Sequence, residues 1–260
     1  MGHPRRRLSA FVITRNEADR IEACLRSVCG WADQVIVLDS GSSDETVAIA
    51  KRFGATVYET DWPGFPAQRN RALGLVDGEW VLSIDADERL TPELRAEIDA
   101  ALSDPALNAT LIKMPWRTYF CGKPLRFGRY AAPQGKLFLR AGARYGTRPV
   151  HEQLLLPARR VLRLKSPLDH YSWRSYAHAQ EKHLQYAVLL AQHKHAQGKR
   201  GRLVLATVRF FFDFLQQYVF RLGLLDGWRG FLMAVILGQY AFHKYAVLCS
   251  MRDADEASGA

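Results

Sequence analysis

The feature that most constrains this sequence is a repeated switch between strand-like and helix-like periodicity over residues 8–104. The strand-like runs are LSAFVIT, QVIVLDS, TVYET and EWVLSID. They alternate with helix-like stretches, namely EADRIEACLRSV, ETVAIAKRFG, PAQRNRALGLV and a segment opened by Thr91-Pro92-Glu93. Strands that are apolar on both faces and alternate with helices are typical of a parallel sheet covered on both sides. The sequence therefore predicts an α/β fold, with Ser42 and Glu45 as the capping box of its second helix.

Polar side chains follow three of these strands directly. In open parallel sheets, ligands bind in the crevice beyond the carboxyl ends of the strands. The residues at those ends are Thr14, Asn16 and Glu17 after the first strand, Asp39 and Ser40 after the second, and Asp85 and Asp87 after the fourth. A single Asp after a strand is more often a turn former or a helix cap than a ligand. The convergence of these residues on one edge of the sheet is what predicts a binding site.

The spacing of Asp85 and Asp87 suggests a metal. Two carboxylates that face one point repel each other, and a divalent cation removes that repulsion. Mg²⁺ and Mn²⁺ take hard oxygen ligands, typically one or two protein carboxylates together with substrate phosphates. The pair therefore predicts a metal–diphosphate site, although a solvated helix start has the same pattern. No G-x-G-x-x-G follows the first strand and no G-x-x-x-x-G-K-[ST] is present, which disfavours dinucleotide and P-loop sites.

Charge is distributed unevenly along the 260 residues. The formal net charge is +10, yet residues 1–112 hold 12 Lys/Arg against 18 Asp/Glu, and residues 113–260 hold 24 against 8. A basic second half attracts phosphates, nucleic acid or anionic lipid, unless it is merely a solvated surface. No recognised nucleic-acid motif accompanies it, so nucleic acid is not an expected partner.

The cysteines and the first residues bear on the compartment. The four cysteines form no C-x-x-C pair and have no zinc-type spacing, so we expect them to be reduced, as in a cytosolic protein. The apolar stretch after the basic start runs only from Leu8 to Thr14. We expect a short strand there, since the stretch is too brief for a signal peptide.

Five motifs stand out along the chain: FVITRNEADRIEACLRSV, VIVLDSGSSDET, AQRNRAL, WVLSIDADE and RPVHEQL. They occur in the order found in the family 2 glycosyltransferases, and the chain resembles in particular the bacterial branch that adds a sugar to the lipopolysaccharide core. The resemblance, over about residues 8–250, implies a GT-A fold, which is a Rossmann-like, mostly parallel sheet flanked by helices. It also implies binding of a nucleotide sugar and inversion at the anomeric carbon.

The resemblance also implies roles for residues at matching positions. Asp39 would contact the nucleobase, and Asp85 and Asp87 would hold the diphosphate and Mn²⁺ or Mg²⁺. The rim of the nucleotide pocket would be formed by Thr14, Asn16 and Glu17, with Ser40 and Arg69 in the same nucleotide-sugar site. His170 matches the late histidine that completes metal coordination in many GT-A enzymes, and it is the expected third ligand.

An inverting transfer needs a base and an electrophilic clamp. Fixed cations such as Arg69, Arg71 or Arg140 could assist a metal at the leaving diphosphate. Between residues 113 and 171 the acids are Glu152 and Asp169. Glu152 opens an apolar run in which packing needs no ionisable group, so it is the predicted base, with Asp169 as the alternative. The neighbouring His151 fits a packing role as well as a role in the site.

The sequence divides near residue 171. Residues 1–171 are predicted to form the catalytic domain, with a nucleotide-sugar half at 1–104 and an acceptor-side half at 105–171. Residues 172–260 are predicted to form a C-terminal helical, amphipathic, membrane-associating region. Its first stretch predicts a long helix ending at Gly198, and its histidines face different sides and are expected to be solvated. These are His178, His183, His193 and His195.

Two very apolar stretches follow, RLVLATVRFFFDFLQQYVFRLGLL and DGWRGFLMAVILGQYAFHKYAVLC. Polar residues interrupt both short of the ~20 apolar residues that a membrane span needs. We expect amphipathic helices in the membrane interface, with Trp and Tyr near the headgroups and Lys/Arg facing anionic lipid. A helical lid packed on the catalytic domain is the alternative.

Together these features predict a metal-dependent inverting glycosyltransferase, peripheral on the cytoplasmic face of the bacterial inner membrane. It would move a hexose from a UDP-sugar such as UDP-glucose to a lipid-linked saccharide such as the lipopolysaccharide core. The alternative is a catalytically silent GT-A-like module that binds nucleotide or glycolipid. A nucleotidyltransferase is disfavoured because no glycine-rich phosphate loop is present.

Overall fold

A computed structural model of the chain describes residues 4–146 and 153–258. The chain forms two compact units. Unit 1 comprises Met1–Trp116 and Pro133–His170, and unit 2 comprises Arg117–Ala132 and Tyr171–Ala260. The functional division at residue 171 that the sequence suggests stays a prediction.

The elements follow the predicted alternation in the first hundred residues. They are β1 (Leu8–Thr14), α1 (Ile21–Val28), β2 (Gln34–Asp39), α2 (Thr46–Arg52), β3 (Thr56–Glu59), α3 (Phe65–Leu75), β4 (Trp80–Ser83), β5 (Glu88–Leu90) and α4 (Pro92–Ser103). Later elements are β6 (Leu111–Phe120), β7 (Lys123–Leu125), β8 (Pro133–Leu139), β9 (Arg144–Tyr145), β10 (Leu154–Leu155), β11 (Val161–Arg163), β12 (Leu168–His170), α5 (Tyr176–Ala196), α6 (Leu203–Leu215) and α7 (Trp228–Ser258).

The main sheet has the strand order β3-β2-β1-β4-β8-β6-β12-β5. Strands β3, β2, β1 and β4 are parallel, and β8 adds to β4 in the antiparallel direction. Because side chains alternate along a strand, Leu8 and Val12 of β1 pack on one face of the sheet and Phe11 on the other. Burying such a side chain contributes roughly 1.5–3 kcal/mol. The predicted GT-A class of sheet, mostly parallel and flanked by helices, is confirmed.

A side-chain cap explains where α4 begins, whereas α2 begins differently from the prediction. The Thr91 side chain accepts a hydrogen bond from the Leu94 N–H, as the Thr-Pro-Glu start of α4 predicts. The predicted capping box of Ser42 and Glu45 is wrong. The N-cap of α2 is Glu45, and the Ser42 hydroxyl donates to the buried Asp39 carboxylate and accepts from the Asn16 N–H. Asp44 accepts from the Thr46 N–H instead, at 3.0 Å.

Unit 2 is built from α5, α6 and α7 around a small hairpin. The hairpin pairs β7 with the last residues of β6, from Thr118 to Phe120. Helix α5 ends at Ala196, close to the predicted stop at Gly198, whose φ of +73° is the left-handed conformation that favours glycine. Helix α6 runs directly into a π-helical turn at Gln216–Phe220.

The prediction of solvated histidines is wrong for His183, which is 7% exposed. Its Nδ1 lies 2.6 Å from the carbonyl oxygen of Ala179, which can only accept, so Nδ1 carries the proton. In the neutral ring Nε2 then accepts from the Tyr130 hydroxyl at 2.7 Å. These two bonds satisfy the imidazole and allow it to be buried.

Helix α6 and the segment after it expose many large apolar side chains. The most exposed are Val204 at 76% and Phe220 at 79%. Two segments, Leu203–Phe220 and Trp228–Met251, have the length and hydropathy of a membrane-crossing helix, with 11% and 39% of their residues buried. The expectation that polar residues leave both segments too short to cross a membrane is therefore wrong as far as length and hydropathy go. Length and composition alone do not distinguish a span from a helix that lies on a surface or in a core.

Candidate active site

The buried Asp39 carboxylate is the centre of the first cluster. The register of β1 and β2 pairs Thr14 with Asp39, and the Thr14 hydroxyl donates to Asp39 Oδ1 at 3.0 Å. The N–H groups of Gly41 and Ser42 donate to Oδ2 at 3.0 and 2.8 Å. The adjacent Ser40 hydroxyl accepts from Gln68 at 2.9 Å. Asp39 is therefore fixed at the carboxyl end of β2, where the sequence placed it.

The turn after β1 is tied to the loop after β2. Asn16, whose φ of +54° is tolerated by asparagine, donates its N–H to Ser42 and accepts from the N–H of Ser43, both at 2.8 Å. The Glu17 N–H donates to the Thr46 hydroxyl at 2.8 Å. The predicted residues thus lie together at the carboxyl ends of β1 and β2 and in the loops that follow, as the sequence predicts: Thr14, Asn16, Glu17, Asp39 and Ser40.

The Asp85 carboxylate lies between two cations. Arg69 contacts one of its oxygens at 2.9 Å, and Lys136 contacts the other at 2.6 Å. Arg69 also donates to the Ser83 hydroxyl at 2.6 Å. Burial alone would raise the pKa of Asp85, but the charges of Lys136 and Arg69 outweigh burial and lower that pKa far below its ordinary value. Asp85 is therefore an anion held by two fixed positive charges.

Three residues of the site were not predicted from the sequence: Glu88, Trp116 and Lys136. Glu88 is fully buried, and its carboxylate contacts Lys136 at 3.0 Å and accepts from the Trp116 indole at 2.7 Å. Burial raises the pKa of Glu88, while the Lys136 charge opposes that rise. The available signals were a single lysine in the apolar run GKLFL and an acid directly after Asp87.

Asp87 faces a different set of side chains. Pairing of β5 with β12 sets Glu88 opposite His170 and so brings His170 Nε2 within 3.6 Å of Asp87 Oδ2. Arg20 approaches the same oxygen at 3.6 Å. The Trp116 ring stacks on His170, with 4.2 Å between ring centroids, and fixes the orientation of the imidazole.

These contacts test how well the predicted ligands fit a metal. Asp87 and His170 present an oxygen and a nitrogen side by side, which suits two positions of a divalent cation that takes its remaining ligands from phosphate. Asp85 is engaged by Lys136 and Arg69, so its repulsion with Asp87 is already relieved without a metal. Within residues 4–146 and 153–258 no three His, Cys, Asp or Glu side chains are grouped as a complete protein-only site.

The remaining predicted residues lie elsewhere. Arg71 pairs with the exposed Asp61 at 2.6 Å. Arg140 follows β8 next to the amino end of β4 and donates to the Val76 carbonyl, so the suggestion that it assists at the opposite, carboxyl edge is wrong. Asp169 precedes His170 in β12, and strand alternation puts the two side chains on opposite faces. Glu152 and His151 lie outside the described residues.

Comparisons with known proteins identify the family of the chain. Residues 9–150 match Glycosyl transferase family 2. An uncharacterized glycosyltransferase of Rickettsia felis is 31% identical over 261 residues, covering 95% of this chain and 90% of that protein. The lipopolysaccharide core biosynthesis glycosyltransferase LpsC of Rhizobium meliloti is 29% identical over 254 residues. The alignment covers 92% of this chain and 90% of LpsC.

Among solved structures, glucosyl-3-phosphoglycerate synthase from Mycobacterium tuberculosis, in complex with Mn²⁺, UDP and glucosyl-3-phosphoglycerate, is 29% identical. The alignment covers 43% of this chain and 44% of that one, with a TM-score of 0.37. The family match over more than half of the chain, together with relatives of similar length, leads to one conclusion. This protein belongs to glycosyl transferase family 2.

Proposed function

We propose that the protein is a metal-dependent inverting glycosyltransferase that moves a hexose from a UDP-sugar, such as UDP-glucose, to a lipid-linked saccharide. The observation that carries this proposal is the row of groups at the carboxyl edge of the sheet. Buried Asp39, the cations Arg69 and Lys136, and the Asp87–His170 pair follow one another along that edge. Such a row suits a nucleoside diphosphate, which needs a hydrogen-bond acceptor for the base, cations for the phosphates and ligands for a metal.

Each group has a distinct part in the proposed reaction. Asp39, with Thr14 and Ser40 beside it, would bind the nucleoside, and Asp87 with His170 would hold Mn²⁺ or Mg²⁺. When bound, the metal would stabilise negative charge on the leaving diphosphate. Arg69 already bridges Ser83 and Asp85, so it would offer a preorganised positive charge that costs little reorganisation during the reaction.

Glu152 remains the proposed base. The base must reach the acceptor hydroxyl on the side of the sugar opposite the leaving group. Asp169 is the alternative, but its place on the face of β12 opposite His170 makes it the weaker candidate. Acid–base roles for both residues are proposals.

The similarity to LpsC bears on the acceptor, and the apolar surface of α6 bears on the location of the protein. The similarity to LpsC over 92% of the chain supports a saccharide of the lipopolysaccharide core type as acceptor. The exposed apolar side chains of α6 support peripheral binding to an anionic membrane, because a soluble surface rarely exposes so many. The cytoplasmic face is proposed because the nucleotide sugar is drawn from the cytosol.

The test is slow donor hydrolysis, which needs no acceptor. We expect the purified protein to hydrolyse a UDP-hexose, but not GDP- or ADP-sugars, only when Mn²⁺ or Mg²⁺ is present. Asp87→Asn should abolish this turnover because it removes a charged ligand and no core volume. The matched control is Asp61→Asn, at an exposed acid paired with Arg71, which should keep full turnover.

Three outcomes would count against the proposal. Metal-independent hydrolysis, or full activity in Asp87→Asn, would remove the metal assignment. UDP binding without hydrolysis of any donor and without transfer to any lipid-linked saccharide would favour the catalytically silent module instead.

The base is tested by Glu152→Gln. We expect this variant to bind the UDP-sugar normally and to lose transfer by roughly 10²–10⁴-fold, as is typical of general-base loss. Asp169→Asn is the matched variant and should retain transfer. If Asp169→Asn shows the loss and Glu152→Gln does not, the base is Asp169.

A further inference from the structure

We propose that unit 2 contains an anion site for a phosphate group, which does not depend on the proposed glycosyl transfer. The site is a cavity of about 200 Å³ between α6, the π-helical turn, α7 and the turn at Arg129. Its charged walls are formed by four cations and a single carboxylate. These are Arg129, Arg209, Arg221, Lys244 and Asp213.

The charges around this cavity are not balanced. Asp213 accepts from Arg209 at 2.9 and 3.1 Å and so neutralises one cation. Lys244 is held by the faces of Tyr240 and Tyr245, at 5.4 and 5.0 Å from the ring centroids. The side chains of Arg129 and Arg221 make no hydrogen bond or ion pair with any residue that the structure describes. Positive charge is therefore in excess.

Two groups at this cavity are in unfavourable surroundings. Burial first, and then repulsion from Arg209, lowers the pKa of Lys244, although Asp213 opposes that change. The Nε of Arg209 is buried, and it has no hydrogen-bond partner among the described residues. An anion accepting from these groups would reduce the repulsion and satisfy a buried donor.

Gln217 holds the backbone at Arg129 in place. Gln217, 3% exposed, accepts at its side-chain oxygen from the backbone N–H of Arg129 at 3.0 Å. The Gln217 amide packs closely on Gly128, whose φ of +88° is the left-handed conformation that favours glycine. Gln217 belongs to the π-helical turn, and such turns often occur at functional sites. The backbone of Arg129 is thereby held beside the cavity.

The size and donors of the cavity indicate the ligand class. Guanidinium groups match the oxygens of phosphate in bidentate geometry. About 200 Å³ is below the roughly 300 Å³ at which small-molecule pockets begin, which suits a phosphate or diphosphate group rather than a whole nucleotide. The same helix α6 exposes Val208, Phe212 and Leu215. A phosphate carried by an amphiphile would therefore find apolar contacts close by, and a soluble phosphate would use the same donors.

The test compares vesicles of equal charge but different headgroup chemistry. Full-length protein is sedimented with phosphatidylcholine vesicles containing either phosphatidic acid or enough oleate to give the same surface charge. We expect tighter binding to phosphatidic acid. The double variant Arg129→Gln/Arg221→Gln replaces two exposed cations. It should reduce that preference about tenfold, because charge-assisted hydrogen bonds are lost. The control Lys199→Gln/Arg202→Gln removes the same charge outside the cavity and should keep the preference.

A second measurement covers a soluble source of the same group. Thermal unfolding is followed with and without inorganic diphosphate in metal-free buffer, and folding of each variant is checked by circular dichroism. A rise in Tm in the wild type that the Arg129/Arg221 variant lacks would also support the site, with soluble phosphate as its ligand. The proposal is overturned if neither the vesicle preference nor the Tm rise distinguishes this variant from the control. Binding that depends on vesicle charge alone would mean a merely basic surface.

Discussion

At the scale of single residues, Lys136 supplies a positive charge that two acids of the candidate active site share. One ammonium group contacts both Asp85, at 2.6 Å, and Glu88, at 3.0 Å. Burial would lower the pKa of Lys136, but the two carboxylates outweigh burial and raise the pKa above its ordinary value. Removing only one partner of such a buried group leaves an uncompensated charge, which is far more costly than removing both.

This predicts a specific double-variant result. Lys136→Met should destabilise the protein by about 3–5 kcal/mol, because Glu88 keeps a buried charge without its cation. Adding Glu88→Gln should restore part of that stability, since the amide oxygen can still accept from Trp116, while the bond from the Asp85 N–H is lost. Urea unfolding followed by tryptophan fluorescence measures both effects. Additive losses in the double variant would show that the two side chains are not coupled.

Some site residues can be predicted from the sequence next to them, and others depend on contacts with distant parts of the chain. Thr14, Asp39 and Asp85 were predictable because each directly follows an apolar strand, and parallel topology brings such ends together. Lys136 was not, because it lies 51 residues from Asp85 along the chain and reaches it only through the antiparallel pairing of β8 with β4. A metal looked necessary from Asp85 and Asp87 alone because their cations were not visible.

At the scale of elements, α5 carries a buried titratable group. Burial, with the charges of Lys182 and Arg129, lowers the pKa of His183 below 6.5. The unfolded chain then binds more protons than the folded one as the pH falls below about 6.5. The contribution of a neutral His183 to stability is therefore fully present above that pH and is lost as the pH falls through the folded pKa.

We accordingly predict a smaller pH dependence in His183→Gln. Between pH 7.5 and pH 5, the Tm of the wild type should fall more than that of the variant. The control is His193→Gln, at an exposed position where the imidazole contacts the Gln197 side chain, and it should follow the wild type. Equal Tm losses in all three proteins would mean that His183 is not the titrating group.

Elements were predictable where local rules act alone. The Thr91 cap, the Gly198 stop and the strands of the nucleotide half agree with the structure to within a few residues. The capping box at Ser42 failed because the N-cap of α2 is Glu45, and the Ser42 hydroxyl instead accepts from the Asn16 N–H, in the loop after the neighbouring strand. The burial of His183 could not be read from helical spacing, since it depends on Tyr130 from a distant turn.

At the scale of the whole molecule, the apolar surface of unit 2 is the feature that most affects behaviour in solution. Val204, Val208, Phe211 and Phe220 are each more than half exposed. Such a surface binds a membrane interface or drives self-association. The basic charge of residues 113–260 favours the anionic membrane.

We predict that the full-length protein co-sediments with anionic vesicles at low salt and is fully released only by detergent. Val204→Ser/Phe220→Ser should weaken this binding at high salt, where the apolar contribution remains. The control Leu184→Ser/Leu189→Ser alters exposed apolar residues of α5 and should bind normally. Wild-type protein that stays in the supernatant at low salt would refute the membrane proposal.

Unit 2 is formed by two separate stretches of the chain, Arg117–Ala132 and Tyr171–Ala260, and this affects both its folding during synthesis and the design of chimeras. Phe120 and Leu125 lie inside the region that matches the family, yet their packing partners include Trp173, Met233 and Ile236. On the ribosome, these two side chains emerge long before the helices that cover them. A chimera that exchanges residues 171–260 with those of a relative would have to exchange 117–132 as well, or its newly made hairpin would never acquire a matching core.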